Sequence, residues 1–190
     1  EADRAYAAAA QAFQDLSKGD STVMLATLNN WSIVHWNAGD PRSALAMIDR
    51  VIALSERRGA AGGVSGAKLT NRASALLVLG RHHEALAAAD RAIAVAADAK
   101  DLGSQFRSLL TKAGAQNRLA DFVAADRTLE DASALARELP AGSSDVGALI
   151  LGRAQAELLR GQPALARDTI TLRIDELQAR QPASVSMAGA

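Results

Sequence analysis

Residues 28–55 read LNNWSIVHWNAGDPRSALAMIDRVIALS, and the apolar spacing changes phase at Gly39-Asp40-Pro41. Ahead of that break, Leu28, Trp31, Val34 and Ala38 follow one another at three- and four-residue steps, the spacing of one helical face. Gly39 supplies a backbone free to take positive φ, which stops a helix. Asp40 can then cap a second helix through its carboxylate, and Pro41 fits the first helical position, where no N–H is needed. Beyond it, Ala44, Leu45, Ile48, Val51, Ile52 and Ser55 fall on one side of that second helix. The stretch therefore predicts two helices folded back on each other.

The same punctuation returns at Gly80-Arg81, Ala120-Asp121 and Gly161-Gln162, about 40 residues apart each time. Five residues after each break stands alanine: Ala44, Ala85, Ala125 and Ala166. Seven before each stands a small residue: Ser32, Ala73, Ala113 and Ala154. Eleven before comes a large aliphatic side chain: Leu28, Leu69, Leu109 and Ile150. Thirteen after come Ile52, Ile93, Ser133 and Ile174. Small residues let two helices approach closely, and large ones fill the space between pairs. Coincident columns at one period define an all-α repeat array, in which each pair buries its apolar side against the next.

A helix pair with a small residue midway along its first helix, Gly-Asp at the turn and alanine five later resembles the tetratricopeptide repeat (TPR), which is usually about 34 residues long. The longer interval here is similar to the repeats of kinesin light chains and related bacterial proteins. Thr27-Leu28-Asn29-Asn30, ahead of Ser32, resembles the opening of their first helices. The resemblance covers most of the chain. It implies a right-handed superhelical array of antiparallel helix pairs, a TPR-like α-solenoid, whose first helices line a concave groove.

It also implies a binding column nine residues before each break, where asparagine holds a peptide backbone. Asn30 and Asn71 match that column; Thr111 and Gly152 do not. An asparagine amide both donates and accepts, as a partner for peptide backbone should. Further groove columns, two, six, ten and thirteen before the break, place Asn37, Arg118, Ser74, Asn29 and Arg107 on the same side. Those five, with Asn30 and Asn71, form the candidate peptide-binding set, and Arg107 and Arg118 would favour an acidic peptide. Some relatives clamp a partner's terminal carboxylates with basic and asparagine residues six and ten before the break. Here those columns hold Ile33, Ser74 and Gly114, then Asn29, Thr70 and Leu110, so no such clamp is expected.

The sequence departs from the family's pattern in two places. Ala120 replaces the turn glycine, and Arg173 sits where Val51, Ala92 and Ala132 do. Eight before each break stand Trp31, Arg72, Lys112 and Arg153, where the family has an inward leucine; the cationic stems are expected to lie over the neighbouring pair. Trp31 and Trp36 are expected in the core, because large rings carry so much buried area.

Composition removes several classes. The 190 residues carry 21 Lys+Arg against 21 Asp+Glu, whereas a nucleic-acid or membrane-surface binder would be expected to carry a basic excess. Aromatics make up 3%, too few for base-stacking platforms. The absence of cysteine removes disulfides and thiolate metal sites. No apolar run reaches the length of a membrane span and no signal peptide is visible, so a cytoplasmic location is expected. The glycine-rich stretch GAAGGVSG, residues 59–66, fails as a phosphate loop: Ala67 separates Gly66 from Lys68, and a helix precedes it. It reads as a connector. His35, His82 and His83 lack the further ligands of a metal site, and no cofactor is expected. Asn30-Trp31-Ser32 fits the glycosylation pattern but falls inside a predicted helix.

In chain order, residues 3–17 read as an unpaired helix with Tyr6, Ala9, Phe13 and Leu16 on one face. Lys18-Gly19-Asp20-Ser21 ends it. Helix pairs are expected over about 21–58, 67–98, 102–138 and 144–180, all within one repeat domain, 1–180. Pro140 and Gly142 stop the third pair, Ser143 or Ser144 caps the fourth, and 181–190 form a flexible tail. The expected function is a non-enzymatic scaffold that binds a peptide segment or partner helix in the groove. An alternative is a regulatory or sensory segment of a larger signalling enzyme or transcription regulator. The unpaired first helix, and Glu1 in place of methionine, suggest a processed chain or fragment. Self-association through the array ends is a third reading.

Overall fold

A computed structural model describes residues 1–15, 21–59, 63–139 and 145–180. Among these every regular element is a helix: α1 (Ala2–Asp15), α2 (Thr22–Asn37), α3 (Pro41–Arg57), α4 (Gly66–Val78), α5 (His82–Asp98), α6 (Leu102–Arg118), α7 (Phe122–Ala136), α8 (Asp145–Leu159) and α9 (Pro163–Arg180). The expected stop at Pro140 and Gly142, the cap at Ser143 or Ser144, the break at Lys18-Gly19-Asp20 and the tail 181–190 lie outside the described residues. So does Leu16 of the first helix's apolar face.

One turn chemistry makes each pair. Gly39, Gly80, Ala120 and Gly161 all take left-handed backbone, with φ of 75, 76, 61 and 75°. The next residue's N–H then bonds a carbonyl five positions back: Asp40 to His35 at 2.9 Å, Arg81 to Leu76 at 3.0 Å, Asp121 to Gln116 at 2.9 Å, Gln162 to Glu157 at 2.9 Å. That bond closes the first helix. The same residue opens the second. Asp40 accepts from Ser43 N–H at 3.1 Å and Asp121 from Ala124 N–H at 3.2 Å, each satisfying a free helical donor. Stop and start share three residues, so the chain can only fold back antiparallel.

The sequence reading missed a fifth turn of this kind. Lys100 has φ 54°, Asp101 N–H bonds Ala96 O at 2.8 Å, and Asp101 accepts from Ser104 N–H at 3.0 Å. It joins the second pair to the third.

The repeat columns lie inside. Ser32, Ala73, Ala113 and Ala154 are buried, as are Ala44, Ala85, Ala125 and Ala166, and Leu28, Leu69 and Leu109. They do not form a central core. Met24, Leu28 and Val51 cluster across α1–α3; Ile48, Leu69 and Ala92 across α3–α5; Leu45, Leu76 and Ala115 across α3–α6; Phe106, Leu129 and Leu149 across α6–α8. Each cluster borrows residues from the next pair, the mark of a stacked array. Ile52 is buried by its following pair, whereas Ile174, its counterpart in α9, is 48% exposed.

The cationic column eight before each break does more than cover its neighbour. Arg72 Nε donates to Asp49 Oδ1 at 2.7 Å, Lys112 Nζ reaches Asp90 Oδ1 at 2.8 Å, and Arg153 donates to Ser133 Oγ at 2.7 Å. Each first helix thus grips the second helix of the preceding pair. Trp31 plays the same part, its Nε1 donating to Asp3 of α1 at 2.5 Å, while its ring stacks on His35. Such partly exposed pairs contribute only about 0.2–1 kcal/mol each, so they set register more than stability.

Two predictions follow from the turns. Ala120→Gly and Lys100→Gly each relieve a left-handed side chain and are expected to raise Tm by a few degrees, roughly the effect of 1 kcal/mol in a chain of this size. Gly39→Ala is expected to lower it; melts followed by circular dichroism read all three. The Ser43 and Ser104 side chains, then their N–H groups, hold the Asp40 and Asp101 carboxyls below the usual carboxylate range. Their contribution to stability is therefore complete above the unfolded carboxyl pKa, about 4, and is lost as pH falls through the lowered folded values. Asparagine caps equally well without titrating. The double variant Asp40→Asn/Asp101→Asn is expected to keep the neutral-pH Tm and to show a shallower loss of Tm below about pH 4.

Candidate functional site

Among the first helices α4 stands beside α6 and α6 beside α8, and two sequence columns face these junctions. Ser74, six before its break, faces the following first helix. Thr111, nine before its own, faces the preceding one. Between α4 and α6 this contact is Ser74 with Thr111, two small hydroxyls 3.2 Å apart. Below it Thr70 and Ser108 share a buried hydrogen bond of 2.7 Å. Between α6 and α8 the same columns hold Gly114, against Leu77 of α4, and Gly152, against Leu110 of α6 and Leu129 of α7, and these helices also pack directly. Between α2 and α4 they hold Ile33 and Asn71. Ile33 is much larger than Ser74 and Gly114, its counterparts in the later first helices, and α2 does not come alongside α4.

The gap is a hollow of about 400 Å³. Ile33 and Trp36 of α2 form one wall, Asn71 and Ser74 of α4 the second, and Arg107 and Leu110 of α6 close the far side. Ile33 is 45% and Trp36 42% exposed. The expectation that Trp36 belongs to the core is corrected: it sits where an approaching α4 would have covered it. Trp31 does pack, against the cluster shared by α1, α2 and α3.

The hydrogen-bonding state of this wall is uneven. Thr111 donates to the Arg107 carbonyl at 3.0 Å and contacts Ser74, so both hydroxyls are engaged. The Asn71 amide makes no hydrogen bond with any described residue, and Arg107 is exposed with no salt bridge among them. Three of the residues read from the sequence, Asn71, Ser74 and Arg107, therefore meet at one place.

The other four do not join them. Asn30 and Asn37 are exposed on α2, and Asn29 is half-buried, its carbonyl accepting from the Ser32 hydroxyl at 2.6 Å. Asn30 shares Asn71's column, but that column faces the preceding first helix, and α1 brings none. Arg118 lines a second hollow of about 480 Å³ between α4, α6 and α8, with Val78, His82, Asn117 and Gln155. Leu110 lines both hollows, so they are neighbours along one face. Asn117 went unread and Trp36 was read as core, although both stand three before a break, on the helical face shared with the six-before column.

Elsewhere, His35 lies between Asp3 and Asp40, 3.2 and 3.7 Å from their carboxylates. No three His, Asp or Glu side chains converge to hold a metal among the described residues. Nor is any helix among them long and apolar enough to cross a membrane.

No family model matches the chain, and neither does any curated protein. Among solved structures, the chain is similar to a Podospora anserina protein described as a kinesin light chain with nearly identical TPR-like repeats. The TM-score is 0.61 at 16% identity, over 94% of this chain and 97% of that one. Likeness at that identity speaks to architecture alone, and the architecture is a TPR-like α-solenoid.

Proposed function

We propose that the chain is a non-enzymatic interaction module whose concave face takes an extended peptide segment or a partner helix. The observation that carries this is the opening between α2 and α4. There an exposed tryptophan and isoleucine flank an asparagine amide whose hydrogen-bonding capacity the fold leaves unused. Apolar anchors beside a few convergent polar groups are what a recognition pocket needs. An aromatic wall supplies contact area, Asn71 can pair with a peptide N–H and C=O together, and Arg107 favours an acidic neighbour. The TPR-like fold supports the same reading, since stacked pairs curve and present such a face.

The test starts from peptides selected against the whole chain from a random display library, their affinities measured by calorimetry. Trp36→Ala is expected to cost about 2 kcal/mol, roughly 30-fold in Kd, as for an aromatic hot spot. Asn71→Ala is expected to cost about 1 kcal/mol, the worth of a hydrogen bond. Asn30→Ala, in the same column but facing no first helix, should leave Kd within about twofold. Helicity should be unchanged in all three. Affinity that ignores Trp36 and Asn71 would move the binding face elsewhere.

A further inference from the structure

Residues 5–13 read AYAAAAQAF, and residues 85–93 of α5, two repeats on, read ALAAADRAI. Setting Tyr6 and Phe13 on Leu86 and Ile93 sets Ala5, Ala8, Ala9 and Ala12 on Ala85, Ala88, Ala89 and Ala92. α1 is therefore built as the second helix of a pair. In α5 those four alanines are 0–5% exposed, and they share core clusters with Leu69, Ala73 and Leu76 of α4, the first helix of their own pair. In α1, Ala5, Ala8 and Ala12 are exposed and Ala9 is half-buried. Among the described residues α1 packs on α2 alone.

α2 carries a second side of the same vacancy. Sixteen, twelve and nine before its break α6 has Ser104, Ser108 and Thr111, all buried, and the last two meet hydroxyls of α4. The same columns of α2 hold Val23, Thr27 and Asn30. Val23 is 57% exposed, Asn30 is exposed and Thr27 is half-buried.

Two faces that close on α4 in the second and third pairs thus stand open in α1 and α2. The chain itself shows what fits such a corner, because α4 packs on both α5 and α6. We propose that the corner between α1 and α2 is a docking seat for one apolar helix of a partner protein. That helix carries the spacing of Leu69, Ala73 and Leu76: a large aliphatic residue, a small one four later, and a second aliphatic three after that. The small residue is needed where the α1 alanines bring two backbones close, and the aliphatic ones fill the space on either side. Val23 extends the apolar wall along α2, and Asn30 stands at its rim. A charge at any of the three positions would be buried without a partner. Ile33 and Trp36, which line the hollow between α2 and α4, lie on another side of α2, so this seat stands or falls apart from that hollow.

The probe is a stapled, fluorescently labelled peptide carrying residues 68–79, KLTNRASALLVL, titrated with the whole chain and read by anisotropy. It is expected to bind saturably at one site. Ala8→Glu and Val23→Glu in the chain should each weaken Kd about tenfold or more, because each buries a carboxylate under the docked helix. Neither should move Tm by more than about 2 °C, since both positions are exposed in the free chain. Ala73→Leu in the peptide should cost a similar factor, because the added bulk holds the two helices apart. Trp36→Ala should leave Kd within about twofold, which separates this seat from the hollow between α2 and α4. A peptide that does not bind, or that binds both glutamate variants as well as the native chain, would overturn the proposal. Sedimentation of the chain alone is expected to show monomer. A dimer that Ala8→Glu disperses would give the seat to a second copy and overturn its assignment to a partner protein.

Discussion

The first helices of the array do not all meet: α4 packs on α6 and α6 on α8, but α2 stands off α4. Helix pairs of this size cannot shield their apolar sides alone, so each must lean on the next. How closely they lean is decided where the six-before residue of one first helix meets the nine-before residue of the following one. Hydroxyls at Ser74 and Thr111 meet where α4 and α6 pack, and Gly152 sits against Leu110 where α8 packs on α6. Ile33 and Asn71 keep α2 and α4 apart. The same repeat, with the same buried alanines, therefore brings the first helices into contact at two junctions and leaves them apart at the third.

What holds the open seam open is the rest of the array. α3 still packs on α4 through Ile48, Ile52 and Leu69, so the second helices stay joined while the first helices part. Arg72 keeps its grip on Asp49 across that junction. An opening confined to the first helices exposes Trp36 without exposing the core beneath it, and Leu28, Ile48 and Leu69 remain buried. At this junction Ile33 and Trp36 stay exposed beside the Asn71 amide, which makes no hydrogen bond with a described residue.

Much of this was legible in the chain. The columns at eleven and seven before the break and five after it are packing positions, and packing shows itself as periodicity. Other features left weaker traces. Ala120 and Lys100 take left-handed backbone without being glycine, because the bonds from Asp121 and Asp101 back across the helix ends hold them there; only the aspartates show in the sequence. The cationic column looked anomalous until its partners were seen. Yet ten residues after the first three breaks stand Asp49, Asp90 and Glu130, an acidic column that answers the cations for two pairs. Trp36 was misread because the tendency of large rings to be buried says nothing about a particular interface. Asn30 and Asn71 looked equivalent because a column assigns a face, not whether a neighbour stands opposite it.

Trp36 is itself the reporter of the central claim. With Trp31→Phe leaving it as the single tryptophan, acrylamide quenching of its fluorescence reads the seam between α2 and α4 directly. The account predicts ready quenching in that chain. It also predicts strong protection once Ile33→Ser and Asn71→Thr carry the small pair found between α4 and α6 into the open seam. A Trp36 that is shielded from the outset, or equally quenched in both chains, would contradict it.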